Sequence, residues 1–282
     1  MTSTAFRIGG DLPVRRLGFG AMHLPTEPVQ ARETSLAVAR RAVELGVTLI
    51  DTAYLYGGGA NEELLAEALH PYPDGLLITT KVGVARSGPA GEWKLDGRPA
   101  VLRDQVERAL LRLRVERIEL LQLHRIDPET PLADQVGTLR ELRELRAEGK
   151  IGRIGLSEVG VDELDEAREI VDVAGVQNRY SLLDREHEPV PAACEAAGIA
   201  FLPWRPVAWG ESGANAEVAA VAAEVDATPT QVALAWLLGH SSVILPIPGT
   251  ARIDHVEENL AADRLELAPA HRDRLDRLSE VA

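Results

Sequence analysis

From near its start to its end the chain alternates between short apolar, β-branched runs and longer amphipathic stretches, and this alternation constrains the fold more than any other feature. After a predicted hairpin at FRIGGDLPVRR, the strand-like runs are RLGFGA (16–21), VTLID (47–51), LLITT (76–80), IELLQL (118–123), IGRIGLS (151–157), GVQN (175–178), IAFLPW (199–204) and VILPIPG (243–249). Between them lie helical stretches such as RETSLAVARRAVELG, AVLRDQVERALLRLRV, PLADQVGTLRELRELRAEGK and TPTQVALAWLLG. Several of these end at glycine, which enters a left-handed C-cap without steric cost. Alternating β and α elements imply parallel strands joined by right-handed crossovers. Eight such units over about 250 residues predict a (β/α)8 TIM barrel, with an N-terminal β-hairpin and a C-terminal helix. An open doubly wound sheet is the alternative, but no G-x-G-x-x-G follows a strand, so its dinucleotide fingerprint is missing. No low-complexity segment or boundary interrupts the pattern, and residues 1–282 are expected to form a single domain.

Chemistry in such a barrel gathers at the C-terminal ends of its strands. The run VTLI leads straight into Asp51, and burying a lone carboxylate there would cost several kcal/mol, so Asp51 is expected at a strand end with a partner. Tyr56 follows in the loop. Gly57, Gly58 and Gly59 then let the backbone turn, and Asn61 is predicted to cap the next helix. The next two strands run into Lys81 and His124. The lysine is informative because the chain has only Lys81, Lys94 and Lys150 against 27 arginines; a strand-end lysine points to a pocket that takes a compact ammonium and not a planar fork.

These four side chains match one kind of reaction. An adjacent ammonium is expected to lower the phenol's pKa and make it a usable general acid, and Asp51 would keep that ammonium charged. A neutral histidine beside the phenol can orient a carbonyl oxygen. With no nucleophile or metal cluster in the pattern, the electron pair is expected as hydride from a nicotinamide. A lyase or isomerase using Lys81 as a Schiff-base amine is the competing chemistry.

The net charge of -14 and pI near 5.0 argue against nucleic acid or an anionic membrane as partner. Cys194 reads as a small buried apolar residue in a helix ending at Gly198, and a single cysteine allows no disulfide framework. The N-terminal residues lack a basic segment followed by an apolar core, and no apolar run approaches the roughly 18 residues that span a bilayer. A reduced, cytoplasmic protein is expected.

Taken together, GFGAM, DTAYLYG, ITTKVG, LLQLHRID, KIGRIGLSE, VQNRYSLLD, FLPWRP and PIPGTARIDHVEENLAA resemble the ordered motifs of the aldo-keto reductase superfamily along nearly the whole chain. The resemblance implies a monomeric-type barrel that binds NADPH without a Rossmann fold and reduces small-molecule aldehydes or ketones. Tyr56 would be the general acid, Lys81 and Asp51 its tuners, and His124 the orienter of the carbonyl. Ser157 and Gln177 match the positions that hold the nicotinamide carboxamide, although Glu158 stands where the family more often has asparagine. Trp204 falls where an aromatic ring stacks on the nicotinamide, with barrel core as its other reading. Gly20, Ala21, Met22, Arg205 and Pro206 would also lie against the cofactor.

In the last loop, Gly249 and His255 replace the lysine and arginine that many members place around the 2′-phosphate. Gly249 and Thr250 remain as loop contacts, with Arg252 as the cation left to supply the charge. Glu258 and Asn259 match the adenine-end pair. Substrate contacts are expected from His23, Trp93, Arg125 and Trp209 in the loops at the strand ends, and the short loop after the seventh strand predicts a loosely clamped cofactor. A cofactor-binding regulatory or sensor subunit of the same fold is the alternative function.

Overall fold

A computed structural model describes residues 5–87, 92–144, 149–208 and 215–280. Strands β1 (Ala5–Ile8) and β2 (Leu12–Arg15) form the expected antiparallel hairpin. The barrel begins with β3 (Phe19–Gly20), β4 (Leu49–Asp51) and β5 (Leu77–Val82). A second hairpin follows, β6 (Val84–Ser87) and β7 (Glu92–Leu95), where the sequence reads as loop. The sheet resumes with β8 (Ile118–Leu123), β9 (Ile151–Ser157), β10 (Val173–Gln177) and β11 (Ala200–Phe201). All seven barrel strands pair in parallel, in the order β3-β4-β5-β8-β9-β10-β11.

The eighth position is filled by residues 243–248, which the sequence reads as a full strand. Pro246 and Pro248 have no N–H to give a ladder, so the run stays irregular, yet it bonds to both sheet edges. Phe201 N–H donates to Val243 O at 2.8 Å, and Leu245 N–H returns to Phe201 O at 2.7 Å. On the other side Gly18 and Gly20 N–H donate to Pro246 O and Pro248 O, at 2.9 and 3.1 Å. These bonds close the barrel. The first and seventh strands are likewise shorter than the sequence implies: Gly18 and Gly20 use their N–H groups on this segment, and Pro203 breaks the ladder after β11.

Outside lie α1 (Val29–Glu44), α2 (Ala60–Leu69), α3 (Pro99–Leu113), α4 (Leu132–Glu144) and α5 (Val161–Ile170), which bury their apolar stripes against the sheet. They are followed by α6 (Pro189–Ala197), α7 (Ala216–Glu224), α8 (Pro229–His240), α9 (Ile253–Ala261) and the C-terminal α10 (Pro269–Asp276). Gly198 ends α6 at φ +67° as expected, and Cys194 is buried, its thiol pushed up to about 12. Among the described residues no helix is long and apolar enough to cross a membrane.

The interior explains where polar side chains end up. Ile8 and Val14 of the first hairpin pack on Leu49, Leu77 and Leu120, giving an apolar floor at the N-terminal end. Side chains on one face of a strand recur every second residue, so the next interior layer above that floor is Asp51, Thr79 and Gln122, and the next is Lys81 and His124. Gly155 makes room in this layer, because a Cβ there would lie 2.9 Å from Gln122 Cγ. The barrel is therefore apolar at its base and polar at its mouth.

Candidate active site

Asp51 closes β4, and the residue is 3% exposed. Lys81, one residue inside the end of β5 and 1% exposed, sends Nζ to Asp51 Oδ2 at 2.6 Å, to Thr52 O at 2.9 Å and to Tyr56 OH at 3.3 Å. The partner that the buried carboxylate requires is thus Lys81. Asp51 Oδ1 accepts from Gln122 Nε2 at 3.1 Å and from Gln177 Nε2 at 2.8 Å. Gln122, two residues before His124 on the same face, is a member of this network that sequence reasoning missed. The spacing that places it beneath His124 was readable in IELLQLH.

Tyr56 reaches Lys81 because the chain folds back at once. Gly57, Gly58 and Gly59 all have positive φ, and a Cβ at Gly59 would lie 2.5 Å from Arg112 Nε. Asn61 does not cap α2, which starts from Gly59 in left-handed backbone. It is buried, donates to Ala21 O at 2.9 Å and accepts from Thr52 Oγ1 at 2.7 Å, so it ties the Tyr56 loop to the end of β3. The His124 ring stands perpendicular to Tyr56, centroids 6.3 Å apart.

Electrostatics correct one expectation. Burial pushes the Tyr56 phenol above its ordinary pKa, and Lys81 pulls only partly against it, so the phenol is firmly protonated before reaction. Burial also works to lower the Lys81 pKa, but Asp51 and Tyr56 outweigh it and the ammonium persists. Burial, with Lys81 and Arg125 nearby, holds the His124 imidazole well below its usual range, hence neutral. The arrangement is a protonated phenol and a neutral imidazole facing the same space, over a charged, fully hydrogen-bonded pair. It can polarise a carbonyl oxygen and protonate it as negative charge develops there.

That space is a cavity of about 210 Å³ at the barrel mouth. Asp51, Tyr56 and His124 line it together with Gly20, Met22, Ser157, Gln177, Trp204, Arg205, Pro206 and Gly249 from the cofactor expectation. His23, Trp93 and Arg125 from the substrate expectation also line it, as do Leu55, Val84, Val207 and Ile247, which the sequence reading did not single out. Trp209 lies outside the described residues.

The fit to a nicotinamide carboxamide can be judged from the donors present. Gln177 spends Nε2 on Asp51 and on Gln122 Oε1, which leaves its Oε1 as an acceptor for an amide N–H. Ser157 Oγ accepts from Arg125 at 3.2 Å and so keeps its own O–H as a donor for an amide carbonyl. One acceptor and one donor at neighbouring strand ends match a carboxamide.

Comparison with known proteins decides the family. The Aldo/keto reductase family model matches residues 16–280. The chain belongs to the aldo-keto reductase family. An oxidoreductase of Schizosaccharomyces pombe is 43% identical over 272 residues, covering 95% of this chain and 87% of that protein. Pyridoxine 4-dehydrogenase of Escherichia coli is 36% identical over 286 residues, covering 99% of each. The crystal structure of an aldo-keto reductase from Klebsiella pneumoniae in complex with NADPH superposes with a TM-score of 0.85 at 27% identity, covering 99% of this chain and 95% of that one.

The remaining expected cofactor residues of this aldo-keto reductase lie off the cavity. Ala21 is fully buried, and Thr250, on the last loop, is buried and accepts from Arg252 N–H at 3.1 Å. Arg252, expected to hold a phosphate, forms a surface ion pair with Asp254 in the first turn of α9. Glu258 accepts from Thr228 Oγ1 at 2.7 Å and, through its carbonyl, from Gln231, which anchors the start of α8. Asn259 is buried in α9. Glu158, at positive φ, accepts from Arg179 N–H and from the Trp204 indole N–H, so the acid that departs from the family pattern fixes the half-buried tryptophan.

Proposed function

We propose that this aldo-keto reductase reduces an aldehyde or ketone to an alcohol with NADPH, the proton coming from Tyr56. The observation that carries the reading is the chain Asp51–Lys81–Tyr56, at 2.6 and 3.3 Å, beside a neutral His124 at the floor of the cavity. Ser157 and Gln177 would hold the carboxamide and Trp204 would lie against the ring; when bound, the nicotinamide supplies the hydride. His124 would orient the carbonyl oxygen toward the phenol. As the carbonyl carbon accepts the hydride, the Tyr56 O–H passes its proton to the oxygen. The phenolate left behind is held by the Lys81 ammonium until a proton returns from solvent, and oxidation of the alcohol runs through the same positions in reverse. The NADPH-bound Klebsiella structure and the family membership support NADPH. The name of the Escherichia coli relative makes pyridoxine and its aldehyde part of the first assay panel.

The test is NADPH oxidation across aldehydes and ketones by the wild-type protein and by Tyr56→Phe. Loss of the phenol should lower turnover by about 10²–10⁴-fold, the usual worth of a positioned acid, while NADPH affinity stays within a few-fold. Full turnover by Tyr56→Phe would remove Tyr56 from this role.

A further inference from the structure

Arg125 follows His124 directly and lines the cavity half-buried. Among the described residues, both of its hydrogen bonds leave from Nη1, to His124 O at 2.8 Å and to Ser157 Oγ at 3.2 Å, and neither ends on a carboxylate. Several other arginines of this acidic chain, Arg41, Arg112, Arg153, Arg252 and Arg274 among them, end on Asp or Glu, while Arg16 and Arg40 bond backbone carbonyls away from the cavity. Among the described residues, the one carboxylate that lines the cavity, Asp51, already belongs to Lys81, Gln122 and Gln177. The nearest acid in electrostatic terms, Glu158, spends Oε1 on Trp204 and Arg179 N–H, faces His187 Nε2 with Oε2 at 3.7 Å, and makes no hydrogen bond to Arg125. Partial enclosure works against the charge on Arg125, so a chain of net charge -14 keeps a partly desolvated guanidinium in this cavity with no carboxylate among the described residues hydrogen-bonded to it. Such a group gains most from an anion arriving in the same enclosed space.

We infer that Arg125 is a specificity residue for substrates that carry an ionised oxygen, carboxylate or phenolate, near the carbonyl, with Nη2 and Nε as its donors. This rests on the carbonyl-reductase reading and narrows its substrate class. The position accounts for the restriction to nearby anions: Arg125 is anchored through Nη1 to His124 O and lines the same cavity as Tyr56 and His124. The bond from Nη1 to Ser157 Oγ ties the same fork to the proposed carboxamide position, so substrate anion and cofactor would meet different edges of one guanidinium.

The experiment compares kcat/KM with NADPH for benzaldehyde, 3-carboxybenzaldehyde, and 2-hydroxybenzaldehyde above and below the ionisation of its phenol. It uses wild type, Arg125→Gln and Arg125→Lys. The wild type should favour at least one ionised aldehyde over benzaldehyde by roughly ten- to a hundred-fold, the span of a charge-assisted hydrogen bond, and the favoured anion identifies the source of the charge. Arg125→Gln should collapse that ratio at least tenfold, and Arg125→Lys should keep part of it. No anion preference in the wild type, a preference that survives in Arg125→Gln, or equal losses on all three aldehydes with weakened NADPH binding would each overturn the inference; the last would assign Arg125 to the cofactor through Ser157. A second readout needs no turnover: quenching of tryptophan fluorescence in the NADP+-loaded protein by benzoate against benzamide. Tighter benzoate binding that depends on Arg125, in a protein that reduces no carbonyl, would support the anion site and sink the reductase reading. Turnover without charge preference would sink the anion site alone.

Discussion

Removing the Lys81 ammonium tests the network beneath the cavity most directly. In Lys81→Met the apolar side chain fills most of the volume, but Asp51 Oδ2 loses its 2.6 Å donor while the residue remains 3% exposed. The amides of Gln122 and Gln177 still bond to Oδ1, so the group is not bare; it is charged, buried and uncompensated. Breaking a buried pair from one side costs about 3–5 kcal/mol. With 282 residues and an unfolding entropy of about 2.1 cal/mol/K per residue, each kcal/mol shifts the midpoint by roughly 1.7 °C, so Tm should fall by roughly 5–8 °C. Adding Asp51→Asn should restore at least half of that loss, because a neutral amide no longer needs the cation. Asp51→Asn alone should also destabilise, as it strands the ammonium. The two single losses therefore should not add: the coupling should reach at least half the Lys81→Met loss, about 1.5–2.5 kcal/mol, on top of the Asp51→Asn loss itself. Scanning calorimetry of the four proteins at pH 7 measures all of this. A Lys81→Met midpoint within 1–2 °C of wild type, or a double variant less stable than either single one, would show that Asp51 and Lys81 are not a charge-compensated unit.

With Arg252 read as the cation for the 2′-phosphate, its ion pair with Asp254 is an internal competitor: Asp254→Asn should release Arg252 and raise NADPH preference over NADH several-fold, and Arg252→Ala should lower it. Unchanged KM ratios in both variants would move the reading of the 2′-phosphate to another residue. His124 should make stability fall on acidification, since its folded pKa lies well below the unfolded value of about 6.5: the unfolded chain takes up a proton first, and stability drops by up to about 1.4 kcal/mol per pH unit below pH 6.5. Denaturant titrations from pH 7 to 5 should show this slope reduced in His124→Gln; an identical slope would mean that the imidazole titrates normally.

Much of this aldo-keto reductase was legible in sequence because its information is local. A strand alternates faces every two residues, so LIDTAY, ITTK and LLQLH announce both a strand and the polar residue at its mouth. Glycines at 57–59 announce the turn that returns Tyr56 toward Lys81. The helices start and stop within a few residues of where their amphipathic stripes do, and prolines at 203, 246 and 248 carry the reason that the last strands are short.

What only the tertiary structure decided were the pairings between distant positions. Gln177 meets Asp51 across 126 residues of chain, Gln122 joins them from a third strand, and residues 243–248 complete the barrel against both edges. Local pattern predicts Asn61 as a cap, but closure of the barrel gives its amide Ala21 O and Thr52 instead. The same holds for charge. The sequence places a lysine near Tyr56 and reads a lowered phenol pKa, yet how far burial outweighs that cation depends on how the walls enclose the ring. A residue's chemistry and its face follow from its neighbours along the chain; its solvation and its partner follow from packing, which brings together groups that no local periodicity connects.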